Sequence, residues 1–406
     1  SLIELGQLDQ AAEYLDKNPF TSTELPSWWR AEWNLIAALK ESSGSAKAFR
    51  RVQFTLENSG DKLPREALIR LTWLKAQISL DLKEINETPD LVDKVIQLIE
   101  NSPALDKKQF DQVLAQAMLT KGQAFLRMKE VNESFAVFEE IRVKYPKTNQ
   151  AALSYLLEAN HHSVNNHLAE AQSNLVTLAE RFPDSEYAPR ALYEASITAE
   201  RRGLPESQEE AVRLLEHLAK RFPNSDLLFY ARLRQGHMLR NLNDFGAALE
   251  VYDEILRNEI LSQHPHRALS SLSRADCLFA IARTDSSKIL EAADRYSDLF
   301  ISVSLPVDLR VEAGCKRALC LRKANKLESA KAACWEIIRL VVEENESLGN
   351  LGGKGRYWAS RSILELGDML ERENSSKKAF EVYALIRKYG LPGEALATSR
   401  AGRKKE

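Results

Sequence analysis

Prolines at positions 26, 64, 103, 146, 183, 223, 265, 306 and 392 are separated by 38, 39, 43, 37, 40, 42, 41 and 86 residues, the last interval being two periods of 43. A helix breaker that recurs about every forty residues, with helix-forming sequence between, predicts a stacked array of helical hairpins. No Gly/Ser/Pro-rich linker and no composition break divides the 406 residues, so one continuous elongated array over 1–406 is expected rather than two or three globular domains. Hydrophobic residues make up 44% of the chain, ample for a core. The formal net charge is −2 with acids and bases interspersed, which argues against a nucleic-acid backbone or an anionic membrane as partner. Only the tail Arg400, Arg403, Lys404, Lys405 is locally basic, and it reads as a solvated end.

The cleanest unit lies within 106–146. It carries Gly122 and Phe125 on a first helix, Ser134 and Phe138 on a second, and Pro146 as its stop. A tiny residue on each helix lets the two axes approach, and an aromatic fills the space between hairpins. The same register recurs as Ala159, Ala171 and Pro183; as Gly236, Phe245, Ala248 and Tyr252; as Ala318, Leu327 and Ala330; and as Gly367, Ala379, Tyr383 and Pro392. Segments 27–58, 64–101, 188–223 and 265–304 keep two amphipathic helices each but lose several of these positions. This pattern resembles the tetratricopeptide repeat, with Ser134 where that family usually has alanine. The resemblance implies an all-α, right-handed α-solenoid of about ten hairpins. Its expected layout is a truncated first repeat at 1–18, the best-matching core at 106–262, C-terminal repeats at 307–392, and a C-terminal helix and basic tail at 393–406. In 1–18, Leu5, Leu8, Ala12 and Leu15 are expected to leave an apolar face partly uncovered, through which the chain would self-associate.

Two units end in a shared phrase, LAERFPDSEYAPRALYEAS at 178–196 and LAKRFPNSDLLFYARLRQG at 218–236. Pro183 and Pro223 stop one helix, and Ser185 and Ser225 are placed to cap the next by accepting its orphan N–H groups. The phrase is similar to that of bacterial envelope tetratricopeptide proteins of the Tol-Pal-associated coordinator and Bam-complex lipoprotein type, over roughly 110–255. That likeness implies a periplasmic or outer-membrane-associated scaffold. The alternatives are a cytoplasmic assembly or regulatory protein, and the helical accessory region of a cell-wall enzyme whose catalytic domain lies elsewhere.

Motifs that carry chemistry are absent: there is no HExxH, GxSxG, EF-hand loop or strand-borne GxGxxG. Near Gly349–Gly355, a phosphate loop would need glycine where Leu348 stands and Ser or Thr where Gly355 stands, so the stretch reads as a flexible connection in place of a proline. Cys277, Cys315, Cys320 and Cys334 lack CxxC spacing and sit among Ala and Leu, as small buried hydrophobes do; a Cys315–Cys334 disulfide across one hairpin is the alternative. His161 and His162 are adjacent and point about 100° apart on a helix, so they cannot share a metal. No enzyme activity and no cofactor or metal are expected, and no run is long and apolar enough to span a membrane.

In the tetratricopeptide family the first helices of successive hairpins line a binding groove. The register carried over by that resemblance puts Leu119, Gln123 and Arg127 on it in one unit, and Leu156, Asn160 and Val164 in the next. Further units contribute Tyr230, Arg234, His237, Arg240 and Asn241, then Lys316, Leu319, Arg322 and Lys323. Such a groove leans basic and would hold a protein or peptide partner, with an acidic segment best suited; Arg234 and Arg240 are expected to be exposed. The family's chaperone-type carboxylate clamp needs a lysine where Leu156 and Leu119 stand, so it is not expected despite Asn160.

Overall fold

A proline ends a helix by removing a donor and clashing with the preceding turn, and the ladder does this between hairpins. In a computed structural model that describes residues 2–17, 25–102, 111–283, 285–342 and 345–402, Pro146, Pro183, Pro223, Pro265 and Pro392 all fall between helices, while Pro64 and Pro306 occupy N-caps. Pro26 lies in the first turn of a helix, and Pro103 lies outside the described residues. Secondary structure among the described residues is helical, with no strand.

The chain divides into two units. Ser1–Thr198 contains α1 (Leu8–Lys17), α2 (Leu25–Ser43), α3 (Ser45–Ser59), α4 (Arg65–Ser79), α5 (Thr88–Glu100), α6 (Asp111–Met128), α7 (Val131–Lys144), α8 (Asn149–Val164), α9 (Leu168–Arg181) and most of α10 (Tyr187–Arg202). Ala199–Glu406 contains α11 (Pro205–Arg221), α12 (Leu228–Asn241), α13 (Phe245–Arg257), α14 (Arg267–Ala282), α15 (Ser286–Ile301), α16 (Val307–Lys323), α17 (Leu327–Val342), the short α18 (Asn345–Asn350), α19 (Gly353–Arg372), α20 (Ser376–Lys388) and α21 (Glu394–Gly402). In the first unit α2/α3, α4/α5, α6/α7 and α8/α9 pair as hairpins; in the second α12/α13, α14/α15, α16/α17 and α19/α20 do so. The first helix of each pair is termed A and the second B.

The small-residue rule is enforced by contact. A Cβ on Gly122 would lie 2.4 Å from the Phe138 ring, one on Gly236 2.5 Å from Tyr252, and one on Gly367 2.2 Å from Tyr383. Ser134 keeps the close approach and adds a bond, its hydroxyl donating to the Gly122 carbonyl at 2.8 Å. The A helices α6, α8, α12, α16 and α19 then stop on a residue in the left-handed region: Lys129 (φ 67°), Asn166 (62°), Asn243 (62°), Asn325 (60°) and Asn374 (59°). The next N–H reaches back to the carbonyl five residues earlier, as from Glu130 to Phe125 (2.9 Å) and Asp244 to Leu239 (2.8 Å), which closes the helix end and reverses the chain. Ser185 accepts from the N–H of Tyr187, the first residue of α10, at 3.3 Å, whereas Ser225 does not cap α12: its hydroxyl accepts from the N–H of Leu227 at 3.2 Å, and Leu227 is itself the N-cap, so the serine shapes the turn before the helix.

Two further expectations change, while the reading of the cysteines as small buried residues holds. Leu8 and Leu15 are buried with Ala11 against Trp29, Leu35 and Phe49, so α1 covers its apolar face on α2 and α3; Leu5 remains exposed. The stretch Gly349–Gly355 is no flexible connection, for it closes α18 and opens α19. Its glycines admit the Asp308 carboxylate, which accepts from the Gly352 N–H at 3.0 Å and occupies the space a Gly355 side chain would need. The four cysteines are free and buried, with no Cys315–Cys334 disulfide. Burial pushes the Cys277 thiol up to about 11 and those of Cys315 and Cys320 up to about 12, away from nucleophilic use.

Candidate partner-binding face

In Ala199–Glu406, the A helices α12, α14, α16 and α19 set a row of charged side chains side by side. Arg234 on α12 pairs with Glu200 at the end of α10. One helix along, Arg240 donates to Asp276 on α14 at 3.0 Å, and Lys316 on α16 reaches the same carboxylate at 2.8 Å. The Tyr296 hydroxyl also donates to Asp276, and burial, reinforced by that carboxylate, raises its pKa so that it stays protonated. Glu312 on α16 takes Lys316 at 2.9 Å and Lys354 on α19 at 2.6 Å; Glu365 on α19 takes Arg322 and, at 2.9 Å, Arg361. Burial works to lower the Arg240 pKa, but Asp276 leads the effects that outweigh it, and the net move is upward.

Arg234, His237, Arg240 and Asn241 converge on one cleft of about 490 Å³, completed by Glu200, Met238 and Phe245. His237 is half-buried, its Nε2 3.3 Å from the Ser273 hydroxyl. Burial, then the charges of Arg240 and Arg234, lower its pKa, so neutral pH finds it uncharged. Asn241 is exposed at the rim. Tyr230, at the other end of α12, lies apart from the cleft and packs edge-on to Phe229 and His264, with ring centroids 5.6 and 5.2 Å away. Lys323 is exposed with its ammonium 4.5 Å from the Phe279 ring centroid.

The structure corrects the expected groove at several points. Leu119 and Leu156 are core residues at 1% and 3% exposure, not groove positions. Each lies three residues before its small A-helix residue, Gly122 or Ala159, and therefore on the face that packs against the partner helix. Arg234 and Arg240 are half-buried, ion-paired side chains, not exposed ones. Lys316 and Arg322 are likewise paired. In the first unit Arg127 and Asn160 are exposed, and Arg127 donates to the Leu80 carbonyl beside Asp81. The carboxylates Glu200, Asp276, Glu312 and Glu365 were missed by the sequence reading. Among the described residues no three His, Cys, Asp or Glu side chains are grouped to hold a metal ion, and no helix is long and apolar enough to cross a membrane.

Residues 116–148 match the family model described as Tetratricopeptide repeat, the hairpin that carries the Gly122–Phe138 contact. No curated protein matches the chain. Among solved structures it is similar to the apo form of RapI, at 11% identity over 82% of this chain and 96% of that one, with a TM-score of 0.40. A Rap protein complexed with Competence and Sporulation Factor is 15% identical over 85% and 96%, with a TM-score of 0.33. The apo quorum sensor NprR from B. thuringiensis is 11% identical over 79% and 98%, with a TM-score of 0.36. Likeness at such scores decides nothing about a partner. The chain carries a tetratricopeptide repeat at 116–148, and the spacing of that hairpin recurs in α8/α9, α12/α13, α16/α17 and α19/α20.

Proposed function

We propose that the chain is a non-catalytic scaffold that holds an acidic segment of a partner protein along the A-helix face of Ala199–Glu406. The observation behind this reading is the charge balance of that face. Arg234, Arg240, Lys316, Arg322, Lys323, Lys354 and Arg361 stand against the four carboxylates Glu200, Asp276, Glu312 and Glu365. The paired acids hold the arginines extended and in place, and the surplus positive charge is left for a ligand. Preorganised guanidinium groups recognise carboxylates with little further ordering. Tyr230, Asn241 and Lys323 are exposed along the same helices and supply an aromatic anchor and rim contacts. A bacterial envelope setting, resting on the two shared phrases at 178–196 and 218–236, is part of the proposal; fractionation of the producing cell checks it.

Selection from a displayed random-peptide library tests the binding. Acid-rich sequences should be enriched, and their affinity should fall with added salt and drop in the Tyr230→Ala, Asn241→Ala, Lys323→Ala triple variant. Enrichment of peptides indifferent to salt and to this variant would refute the assignment.

A further inference from the structure

Away from the charged row of the A helices, a second cleft of about 490 Å³ opens among α13, α14 and α15. Four arginines line it, Arg257, Arg267, Arg274 and Arg295, with two carboxylates, Asp253 and Asp298. Asp253 is shared: Arg274 donates to it, and Arg257 lies 3.2 Å from it. Asp298 lies 3.6 Å from Arg295, its one ion-pair partner among the described residues, with both side chains largely exposed. Arg267 has no carboxylate in the cleft and spends one Nη on the Ser262 carbonyl at 3.0 Å. The cleft therefore holds two positive charges more than it neutralises, on guanidinium groups with donors to spare.

The hydroxyls of Ser271, Ser302 and Ser304, the last two 3.2 Å apart, share the lining with Leu256, Leu299 and Leu305. We infer that this cleft binds a phosphorylated side chain of a partner protein. Arginine rather than lysine suits the task because its planar fork bonds a phosphate through two parallel N–H groups. A phosphate monoester near neutral pH carries close to two negative charges, matching the surplus. The leucines of the lining give an apolar neighbour of the phosphorylated residue somewhere to lie, which a free ion would not use. A nucleic-acid backbone would need basic surface continuing well beyond the cleft, and the chain as a whole carries a net charge of −2.

Fluorescence anisotropy on the full chain tests this with a degenerate phosphoserine peptide library, the same library unphosphorylated, and inorganic phosphate as competitor. The phosphorylated library should bind about tenfold or more tighter than its counterpart, as a charge-assisted bidentate contact implies. Arg267→Gln with Arg295→Gln should abolish that difference while the thermal midpoint stays put, since neither arginine is buried. Equal binding of the two libraries would overturn the inference, as would a preference that survives the double variant. Competition by inorganic phosphate at concentrations comparable to the peptide would also overturn it, by showing an ion site rather than a peptide site. A phosphate-dependent signal lost on Tyr230→Ala instead would move the site to the A-helix face. The proposed acidic-segment binding is read separately, by the unphosphorylated acidic peptides.

Discussion

A single missing methyl group decides how closely two helices approach. Alanine at Gly236 would put a carbon 2.5 Å from the Tyr252 ring, whereas at Gly246 the nearest atom is a carboxylate oxygen at 3.7 Å. Both positions are helical, so each substitution gains up to about 1 kcal/mol of helix propensity. Only the first overpacks a core, at about 1–3 kcal/mol. Urea denaturation should therefore find Gly236→Ala destabilised and Gly246→Ala neutral or more stable; equal effects would mean that the Tyr252 contact is not limiting. His237 makes a second case. Its pKa is lowered in the fold, so as pH falls below the ordinary value of 6.5 the unfolded chain takes up the proton first. Stability should be level above about pH 7 and fall from about 6.5 down to the lowered native value, and His161 and His264 shift in the same direction. His237→Gln, which keeps a partner for Ser273, should shrink the loss of thermal midpoint between about pH 7.5 and about pH 5.5. An unchanged loss in the variant would assign the acid sensitivity elsewhere.

At the scale of the hairpin, two kinds of punctuation alternate. Prolines separate most hairpins, and a left-handed residue closes the A helix in α6/α7, α8/α9, α12/α13, α16/α17 and α19/α20. Four of the five left-handed positions named above are asparagine, which tolerates the conformation, and the fifth is Lys129. Lys129→Gly should raise the stability of the α6/α7 hairpin by up to about 1 kcal/mol, read as slower amide exchange across Asp111–Lys144. Faster exchange there would show that the lysine side chain matters more than its backbone strain. The proline ladder and the small-residue spacing were both legible in the sequence because each follows from a local steric requirement. The asparagines, seven residues after Ala159, Gly236, Ala318 and Gly367, carried an equally plain signal that the sequence reading left unused. The charge network was less legible, since no single helix contains it. Its members are opposite charges about one repeat apart: Glu200 and Arg234 by 34 positions, Arg240 and Asp276 by 36, Asp276 and Lys316 by 40. Reading Arg234 and Arg240 alone made them exposed cations; with their partners they become half-buried pairs. Their joint removal would leave Glu200 without its arginine and Asp276 with fewer donors, and so cannot serve as a binding variant that spares the fold.

At the largest scale, the hairpins within each unit build a lateral surface from local contacts, and each unit carries its own core. Side chains on successive A helices can then be addressed together by one extended ligand, which no single hairpin could hold. This makes the A-helix face of Ala199–Glu406 the working surface of the account, and site-specific photo-crosslinking tests it most directly. A photoreactive residue at Asn241 or Lys323 should capture the selected acidic peptide, while one at the exposed Trp335 of helix α17 or Val143 of helix α7 should not. Capture at Trp335 or Val143, with none at Asn241 and Lys323, would place the partner on the B helices and contradict the account.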